Sequence, residues 1–228
     1  MQRWRSEGLT AKFARLPRHV GFIPDGNRRW AEIRGLPRRE GYGAGIRPGL
    51  SLLRLCAKIG IQEVTIYGFT KENVRRPPDQ VKAFSTACAD FGVQAIKEGA
   101  ALQVIGDTSS KCFPAALKPY ARKRSDGDLR VNFLVNYGWQ WDLAAAVTQH
   151  SGNRASPRAL PLMLASRHAG RLDLLVRWGG RRRLSGFLPV QSAYADFYTI
   201  DTLWPDMCAE EFIGALLWFA EQDVTLGG

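Results

Sequence analysis

The 228-residue sequence lacks the features that indicate several common classes of protein. Its four cysteines lie far apart and form no CxxC pair, so neither a zinc site nor a disulfide framework is predicted. No apolar run approaches the ~18 residues that a membrane-spanning helix needs. The basic start of the chain is followed by no apolar stretch of the kind found in secretory signals. We therefore expect a cytoplasmic protein without stable membrane insertion.

Motifs of several common enzyme classes are also missing. The sequence contains no HExxH of zinc peptidases, no GxSxG of α/β hydrolases and no P-loop of nucleotide-binding proteins. Histidine occurs only at His19, His150 and His168. The first opens an apolar run and the other two lie in polar stretches, so each is interpreted as structural. The histidines therefore argue against the commonest acid–base and metal chemistries.

What the sequence has in excess is positive charge. There are 32 lysines and arginines against 21 acids, a formal net charge of +11. Nucleic acid, an anionic membrane surface and a polyanionic small substrate are the partner classes that fit such a charge. The arginines stand beside glycines at the ends of apolar runs, which favours recognition of phosphate groups at a site. A nucleic-acid binder remains an alternative that rests on charge alone, and we do not expect nucleic acid as the partner.

Apolar runs alternate with amphipathic stretches along the chain. The short runs predict buried strands at residues 20–23, 63–69, 102–107, 129–135 and 173–176. Helical spacing of apolar residues predicts helices at about 46–59, 79–98, 139–150, 157–168 and 212–219. Because strands and helices alternate, right-handed crossovers and a parallel sheet follow. We predict an α/β fold with one domain over residues 1–228 and a central, mainly parallel sheet flanked by helices.

The first predicted strand runs directly into a polar stretch that has the composition of an anion site. Asp25 and Asn27 are both good helix N-caps, so a helix is expected to start here. Gly26 allows close approach of the backbone, and Arg28 and Arg29 stand beside it. An acid among so many cations suggests a divalent metal that bridges Asp25 to a polyphosphate. The alternative is a capped turn with solvated arginines.

Further polar segments follow other predicted strands. Residues 34–45, rich in glycine and proline, are predicted to form a mobile loop that could close over a phosphate. Residues 70–78 form a basic loop at the same edge of the sheet. Residues 177–187 combine glycines, arginines and a serine, which predicts a second anion site or a basic surface hairpin. Asp196, between aromatic residues, is either a second metal ligand or a surface acid. The apolar stripe of helix 79–98 is core or the wall of an apolar groove.

Several of these segments together resemble a known family, the cis-prenyltransferases of the undecaprenyl diphosphate synthase type. The matching stretches, in order, are HVGFIPDGNRRW (19–30), YGFTKEN (67–73), NYG (136–138), DLLVRWGGRRRLS (173–185), and YADFY (194–198) with LWPD (203–206). The resemblance implies a Mg²⁺-dependent enzyme that transfers prenyl groups between small-molecule prenyl diphosphates. It also implies a homodimer with an apolar product tunnel between helices.

The resemblance implies a role for each matching residue. Asp25 matches the essential magnesium-binding aspartate, and Asp196 stands where the family usually has the glutamate that completes magnesium binding. Asn73 and Arg76 match residues that position the allylic diphosphate and assist its ionisation. Thr70, together with Asn73, is our candidate for a residue near the proton-removal step.

The substrate-binding residues that the resemblance implies fall into two groups. The allylic diphosphate would be held by Gly26, Asn27, Arg28, Arg29 and Arg38. The diphosphate of the second substrate would be held by Arg177, Arg183 and Ser185. The predicted substrate-binding set is completed by the neighbouring side chains of Trp30, Tyr42, Phe69 and Trp178.

Departures from the family pattern predict a specialised member. Tyr42 replaces the usual histidine, Trp178 and Arg181 replace the usual threonine and glutamate, and Asp196 is one methylene shorter than glutamate. Because most changes fall at the second-substrate site, Trp178 is expected to exclude or re-aim isopentenyl diphosphate.

The sequence leaves three functions open. Tyr42 and Pro189 resemble the lavandulyl-type branch, which joins allylic diphosphates head-to-middle into a short branched product, here from dimethylallyl and geranyl diphosphate. Regular cis elongation with isopentenyl diphosphate is the alternative. A non-catalytic partner subunit of the same fold is a third possibility, against which Asp25, Arg177 and Arg183 argue.

Overall fold

The strands all belong to one sheet. The structure is a computed structural model and describes residues 13–149 and 159–223. Its strands, in chain order, are β1 (His19–Ile23), β2 (Glu63–Tyr67), β3 (Ala100–Ile105), β4 (Leu129–Leu134), β5 (Leu174–Arg177) and β6 (Asp196–Thr199). Within the described residues they form a six-stranded sheet in the order β3-β4-β2-β1-β5-β6, and every neighbouring pair is parallel. The predicted α/β class and parallel sheet are therefore confirmed.

Helices cover both faces of the sheet. They are α1 (Asn27–Ile33), α2 (Glu40–Ala44), α3 (Ile46–Ile59), α4 (Pro78–Lys97), α5 (Lys118–Arg122), α6 (Trp139–Gln149), α7 (Leu160–Met163) and α8 (Ala209–Ala220). In the parts of the chain that the structure covers, none of these helices is both long and apolar enough to cross a membrane. The strands of an internal parallel sheet are buried on both faces, and β1 to β5 are almost entirely buried.

The structure corrects several element predictions. β6 is an edge strand of four half-buried residues, and its Asp196 interrupts the apolar run by which a buried strand is detected. Residues 34–45, predicted as a mobile loop, contain α2. Of the helix predicted over 157–168, the described part forms a helix only at Leu160–Met163. Residues 150–158, where one predicted helix ends and the next begins, lie outside the described residues.

The start of α1 differs from the predicted side-chain cap. Gly26 occupies the cap position in the left-handed region, at φ 107°, and no side-chain cap hydrogen bond is made. A Cβ atom at Gly26 would lie 2.7 Å from Leu203 Cδ2. The backbone N–H of Trp204 donates to the carbonyl of Asp25 at 3.0 Å. The turn is therefore set by packing against the segment after β6, and Asp25 keeps its carboxylate free for other partners.

A buried polar network joins the neighbouring strands β1, β2 and β4. His19 Nε2 lies 2.8 Å from the Thr65 hydroxyl, and Asn132 donates to Thr65 at 3.1 Å and to Glu63 at 2.6 Å. His19 is 3% exposed. Burial lowers the pKa of His19 below 6.5, although the nearby Glu63 carboxylate opposes this shift. The neutral imidazole is therefore the form that the folded protein favours.

This network predicts a pH-dependent stability. The unfolded chain binds the His19 proton more tightly than the folded chain, so the free energy of unfolding should fall as the pH drops below the unfolded pKa, near 6.5. Urea unfolding at about pH 8 and about pH 5.5 would measure the loss. His19→Gln should cost about 1–3 kcal/mol at the higher pH and should lose less on acidification than the wild type. An equal acid-induced loss in both proteins would contradict the assignment.

Candidate active site

The carboxyl ends of the central strands surround a cleft of about 660 Å³. It is lined by the segments that follow β1, β2 and β5. The strand order runs from β1 towards β2 on one side and towards β5 on the other, so the cleft lies where the sheet changes winding direction. Ligands in open α/β sheets bind at such points. The fold therefore brings together three segments that are far apart in the sequence.

The central contact of the cleft is an ion pair between Asp25, after β1, and Arg177, at the end of β5. Arg177 Nη2 donates to Asp25 Oδ2 at 2.7 Å, and Nη1 donates to the Ser185 hydroxyl at 2.8 Å. Arg29 approaches the other oxygen of Asp25 at 3.4 Å. The Arg177 side chain is 5% exposed, whereas that of Asp25 is 30% exposed. Asp25 is thus held between two guanidinium groups and still faces the cleft.

The turn after β5 depends on backbone conformations that favour glycine. Gly179 has φ 84° and Gly186 has φ 75°, and Ser185 itself has φ 51°. A Cβ atom at Gly179 would lie 2.6 Å from Arg29 Nη2 and 2.9 Å from the carbonyl oxygen of Asp25. Arg29 donates to the Gly179 carbonyl at 2.8 Å. The glycine therefore lets the two arginine-bearing segments meet across the cleft.

The segment after β2 forms a short 3₁₀ turn closed by a capping box. The backbone N–H of Thr70 donates to Asn73 Oδ1 at 3.1 Å, and the Thr70 side chain accepts from the backbone of Asn73. This arrangement occupies the amide oxygen of Asn73 and leaves its NH₂ group available to donate into the cleft. Neither side chain is basic, so both residues suit positioning of a substrate better than acceptance of a proton.

Arginine side chains dominate the charge of the cleft. The described lining residues include the carboxylates Asp25 and Glu72, and against them stand Arg28, Arg29, Arg76, Arg177, Arg181 and Arg183. The Glu72 side chain makes no hydrogen bond or ion pair with other described residues. Guanidinium groups bind phosphate oxygens in pairs through parallel N–H donors. The excess of positive charge is therefore suited to ligands that carry several phosphate charges.

An apolar pocket of about 50 Å³ opens from the polar cleft. Tyr42 and Phe84 line both spaces and stack on each other, with ring centroids 4.4 Å apart and planes 6° apart. Arg76 donates to the Tyr42 hydroxyl at 3.0 Å. Deeper in the pocket the walls include Phe91 and Phe133. The stacked pair thus forms the border between a charged compartment and an apolar one.

Most of the predicted site residues line the cleft. They are Asp25, Gly26, Asn27, Arg28, Arg29, Tyr42, Thr70, Asn73, Arg76, Arg177, Arg183 and Ser185. Their convergence follows from the sheet, because parallel strands end at one edge. Their roles towards substrate and metal stay predictions.

Trp178, Phe69 and Trp30 lie elsewhere. Trp178 is fully buried in the core, 5.0 Å from Trp204 between ring centroids, and its indole N–H donates to Glu211 at 3.1 Å. It therefore cannot contact a substrate in the cleft, which corrects the expectation that it re-aims the second substrate. Phe69 is also fully buried, against Phe84. Trp30 points away from the cleft and donates to Asp206.

Two charged residues are also not brought to the cleft. Arg38 is exposed and pairs with Glu32. Asp196 begins β6 and pairs with Leu174, three residues before Arg177 and thus about 10 Å along the strand from the cleft. Within one chain, the structure therefore separates Asp196 from Asp25, and the metal-binding roles of the two residues stay predictions.

Several cleft residues are not in the predicted set. They include Tyr67, Glu72, Phe84, Trp139 and Arg181. Burial raises the pKa of the Tyr67 hydroxyl, with a further contribution from Glu72, so this group remains a donor, to the Ser185 carbonyl at 3.1 Å. Glu72 and Arg181 lie within the stretches that resemble the family, so the sequence could have marked them as candidate site residues. Phe84 and Trp139 lie on helices, where spacing alone does not separate a core residue from a cleft residue.

The chain was compared with known proteins. A family model described as "Putative undecaprenyl diphosphate synthase" matches residues 23–227. This chain belongs to that family. The match confirms the resemblance to cis-prenyltransferases and identifies a prenyltransferase.

Individual relatives agree with the family assignment. The chain is 34% identical over 228 residues to a ditrans,polycis-undecaprenyl-diphosphate synthase ((2E,6E)-farnesyl-diphosphate specific) of Escherichia coli K12, covering 92% of this chain and 90% of that protein. A synthase of the same name from Yersinia pseudotuberculosis is also 34% identical, over 94% and 91%. The crystal structure of lavandulyl diphosphate synthase from Lavandula x intermedia with dimethylallyl diphosphate superposes with a TM-score of 0.83, covering 93% and 99%, at 23% identity. That likeness shows the shared fold.

The Asp25–Arg177 pair yields a direct test. Asp25→Asn keeps the size of the side chain but removes the charge that faces Arg177 and the cleft. We expect turnover to fall by about 100-fold or more, as when one preorganised electrostatic group is removed from an active site. Steady-state kinetics would measure the loss, and circular dichroism would show that the fold persists. The exposed Asp90→Asn on α4 is the matched control and should leave turnover unchanged. Full activity of Asp25→Asn would exclude a catalytic role.

Proposed function

We propose that this prenyltransferase joins two allylic diphosphates, such as dimethylallyl and geranyl diphosphate, head-to-middle into a short branched product. The observation that carries the proposal is the shape of the site. Two arginine-rich segments face one cleft, and the cleft continues into an apolar pocket with little room. The arginines suit two diphosphate groups, and the pocket suits a short hydrocarbon tail.

The reaction needs charge stabilisation more than acid–base chemistry. The C–O bond of the donor breaks, and its electron pair leaves with the diphosphate. The double bond of the acceptor supplies the electron pair of the new C–C bond, and a proton is lost from a carbon next to the resulting cation. Arg28, Arg29 and Arg76 would bind and stabilise the departing diphosphate. The faces of Tyr42 and Phe84 would shelter positive charge on carbon.

The cleft residues fit a Mg²⁺ ion that binds together with substrate. Mg²⁺ is usually held by one or two carboxylates and by substrate phosphates. Asp25 and Glu72 supply carboxylate oxygens in the cleft, while the described residues contain no ready cluster of three or more acidic, histidine or cysteine ligands. When bound, Mg²⁺ would neutralise charge on the leaving diphosphate. Arg177 and Arg29 would hold the Asp25 carboxylate in place for it.

The irregular linkage is supported by the acceptor side of the cleft. Arg181, which lines the cleft, stands where the family resemblance leads us to expect a glutamate. Exchange of an acid for a base reverses the local charge beside Arg177 and Arg183. The electrostatic field around the acceptor diphosphate would therefore differ from that in the usual family member. This difference favours a different acceptor.

Regular cis elongation with isopentenyl diphosphate is the second candidate. It is favoured by the two bacterial relatives, whose names describe undecaprenyl diphosphate synthases. The burial of Trp178 also removes one reason to expect that isopentenyl diphosphate is excluded. A non-catalytic partner subunit is disfavoured, because Asp25, Arg177 and Ser185 form an intact contact in the cleft.

Product analysis would decide between these functions. Purified protein with Mg²⁺ would receive dimethylallyl and geranyl diphosphate, with and without isopentenyl diphosphate, and products would be identified by mass spectrometry and NMR. We expect a branched product without isopentenyl diphosphate, and no product after chelation with EDTA. A linear product that requires isopentenyl diphosphate would establish the regular reaction instead. No product with any combination would contradict both.

Product length is expected to depend on Phe84. A pocket of about 50 Å³ is several times the ~10–15 Å³ that one water needs, and the Phe84 ring lines both this pocket and the cleft. Phe84→Ala would remove the ring that separates the cleft from the pocket, so we expect the variant to accept longer allylic donors and to release longer products.

Liquid chromatography of the products of Phe84→Ala with geranyl and farnesyl donors would measure this change. Val81→Ala on the same helix is the matched control, because Val81 lines neither the cleft nor the apolar pocket. An unchanged product profile in a folded Phe84→Ala protein would show that other residues limit the length.

A further inference from the structure

A second cleft, of about 350 Å³, lies beside the edge strand β3, away from the site described above. Its walls come from the end of β3, from α5, from α6 and from the segment after α7. The cleft shares α6 with the candidate active site, because Trp139 lines the first space and Trp141 lines the second. Nothing in the proposed reaction uses this second cleft.

Basic side chains converge on this cleft without a counter-charge. They are Lys118 and Arg122 from α5 and Arg167 and His168 after α7, and none of the described lining residues is acidic. Like charges four residues apart on a helix, as in α5, repel each other. This arrangement is unfavourable in the empty protein and becomes favourable when an anion lies between the cations.

The acids that adjoin lining residues in the sequence are committed to other partners. Asp107 accepts from Lys71 at 2.7 Å and from Ser109. Asp142 accepts from the Tyr137 hydroxyl at 2.7 Å and from Ser166. Neither carboxylate is free to turn towards the cleft and neutralise it. The positive charge there is therefore left for a ligand.

Both pairs of basic residues are anchored to the rigid part of the fold. Gln103 on β3, 5% exposed, donates to the carbonyls of Tyr120 and Ala121 and ties α5 to the sheet. The backbone N–H of Ser166, just before Arg167, donates to buried Asp142 at 2.8 Å. These basic side chains are thus presented from fixed backbone positions. Partial burial lowers the pKa of His168, and the neighbouring Arg167 and Arg124 lower it further, which agrees with a positive local field.

We propose that the cleft formed by Lys118, Arg122, Arg167 and His168 binds a phosphate-type anion, separately from the active site. The shared chemistry is a phosphate or diphosphate group with two or more negative charges. Guanidinium and ammonium groups recognise such anions strongly, and the volume of the cleft is within the range of small-molecule sites. The anion could be a soluble diphosphate or the headgroup of an anionic lipid.

The imidazole of His168 provides a local probe that does not depend on turnover. NMR of the full chain would follow its ring protons during titration with inorganic pyrophosphate, the signal being assigned from His168→Gln. We expect the His168 pKa to rise when the anion binds. Pyrophosphate that enters only the active site would leave this signal unchanged, so failure here is distinguishable from failure of the proposed reaction.

A charge-removal pair tests the site itself. Lys118→Gln/Arg122→Gln should weaken the effect of pyrophosphate on His168 by at least tenfold, while prenyl transfer continues. The control, Lys58→Gln/Lys97→Gln, removes two exposed helix charges outside both clefts and should leave the effect unchanged. Equal weakening by both pairs would overturn the proposal, because it would indicate a non-specific effect of net charge.

Two further titrations distinguish a soluble anion from a lipid headgroup. Response to millimolar pyrophosphate, but not to vesicles of phosphatidylglycerol, would identify a soluble ligand. Response to phosphatidylglycerol vesicles, but not to phosphatidylcholine vesicles, would identify a lipid headgroup. Absence of a His168 response to both pyrophosphate and anionic vesicles would overturn the proposal.

Discussion

The ion pair of Arg177 with Asp25 is the interaction on which the candidate active site depends. Arg177 is almost fully buried at the end of β5, and a guanidinium group cannot lose its charge in a protein. It must therefore find acceptors, and it finds them in the Asp25 carboxylate, the Ser185 hydroxyl and the carbonyl of Arg183. These contacts bind the segment after β1 to the turn after β5, so the positions of both arginine-rich segments follow from one buried charge.

The rest of the cleft consists of a charged part and an adjoining apolar part. Guanidinium groups surround a space open to solvent, and the stacked rings of Tyr42 and Phe84 close its inner side. A prenyl diphosphate has the same division, with a charged head and an apolar tail. In the proposed reaction, the bond that breaks would lie at this border, with the developing positive charge against the aromatic faces and the departing anion against the arginines.

Motif resemblance predicted the backbone segments of the site better than the side chains in it. Asp25, Arg29 and Arg177 lie where the matching stretches imply, because these stretches end parallel strands. Trp178, one residue after Arg177, does not face the cleft and packs in the core. Successive residues of an extended segment face opposite sides, so membership of a motif does not mean that a residue faces the cleft. Glu72 and Arg181 lie in the same motifs and do face it.

By itself, the sequence determined the alternation of strands and helices, the parallel sheet and the location of the arginine-rich segments, because apolar runs and glycine–arginine turns are local properties. It also determined the family. Only the tertiary structure decided which acid shares the cleft with Asp25: Asp196 lies back along β6, and Glu72 lines the cleft. The cap at Gly26, the burial of Trp178 and the cationic cleft beside β3 likewise depend on contacts between distant segments. Local sequence patterns do not predict such contacts, because the contacts form only when helices and strands pack together.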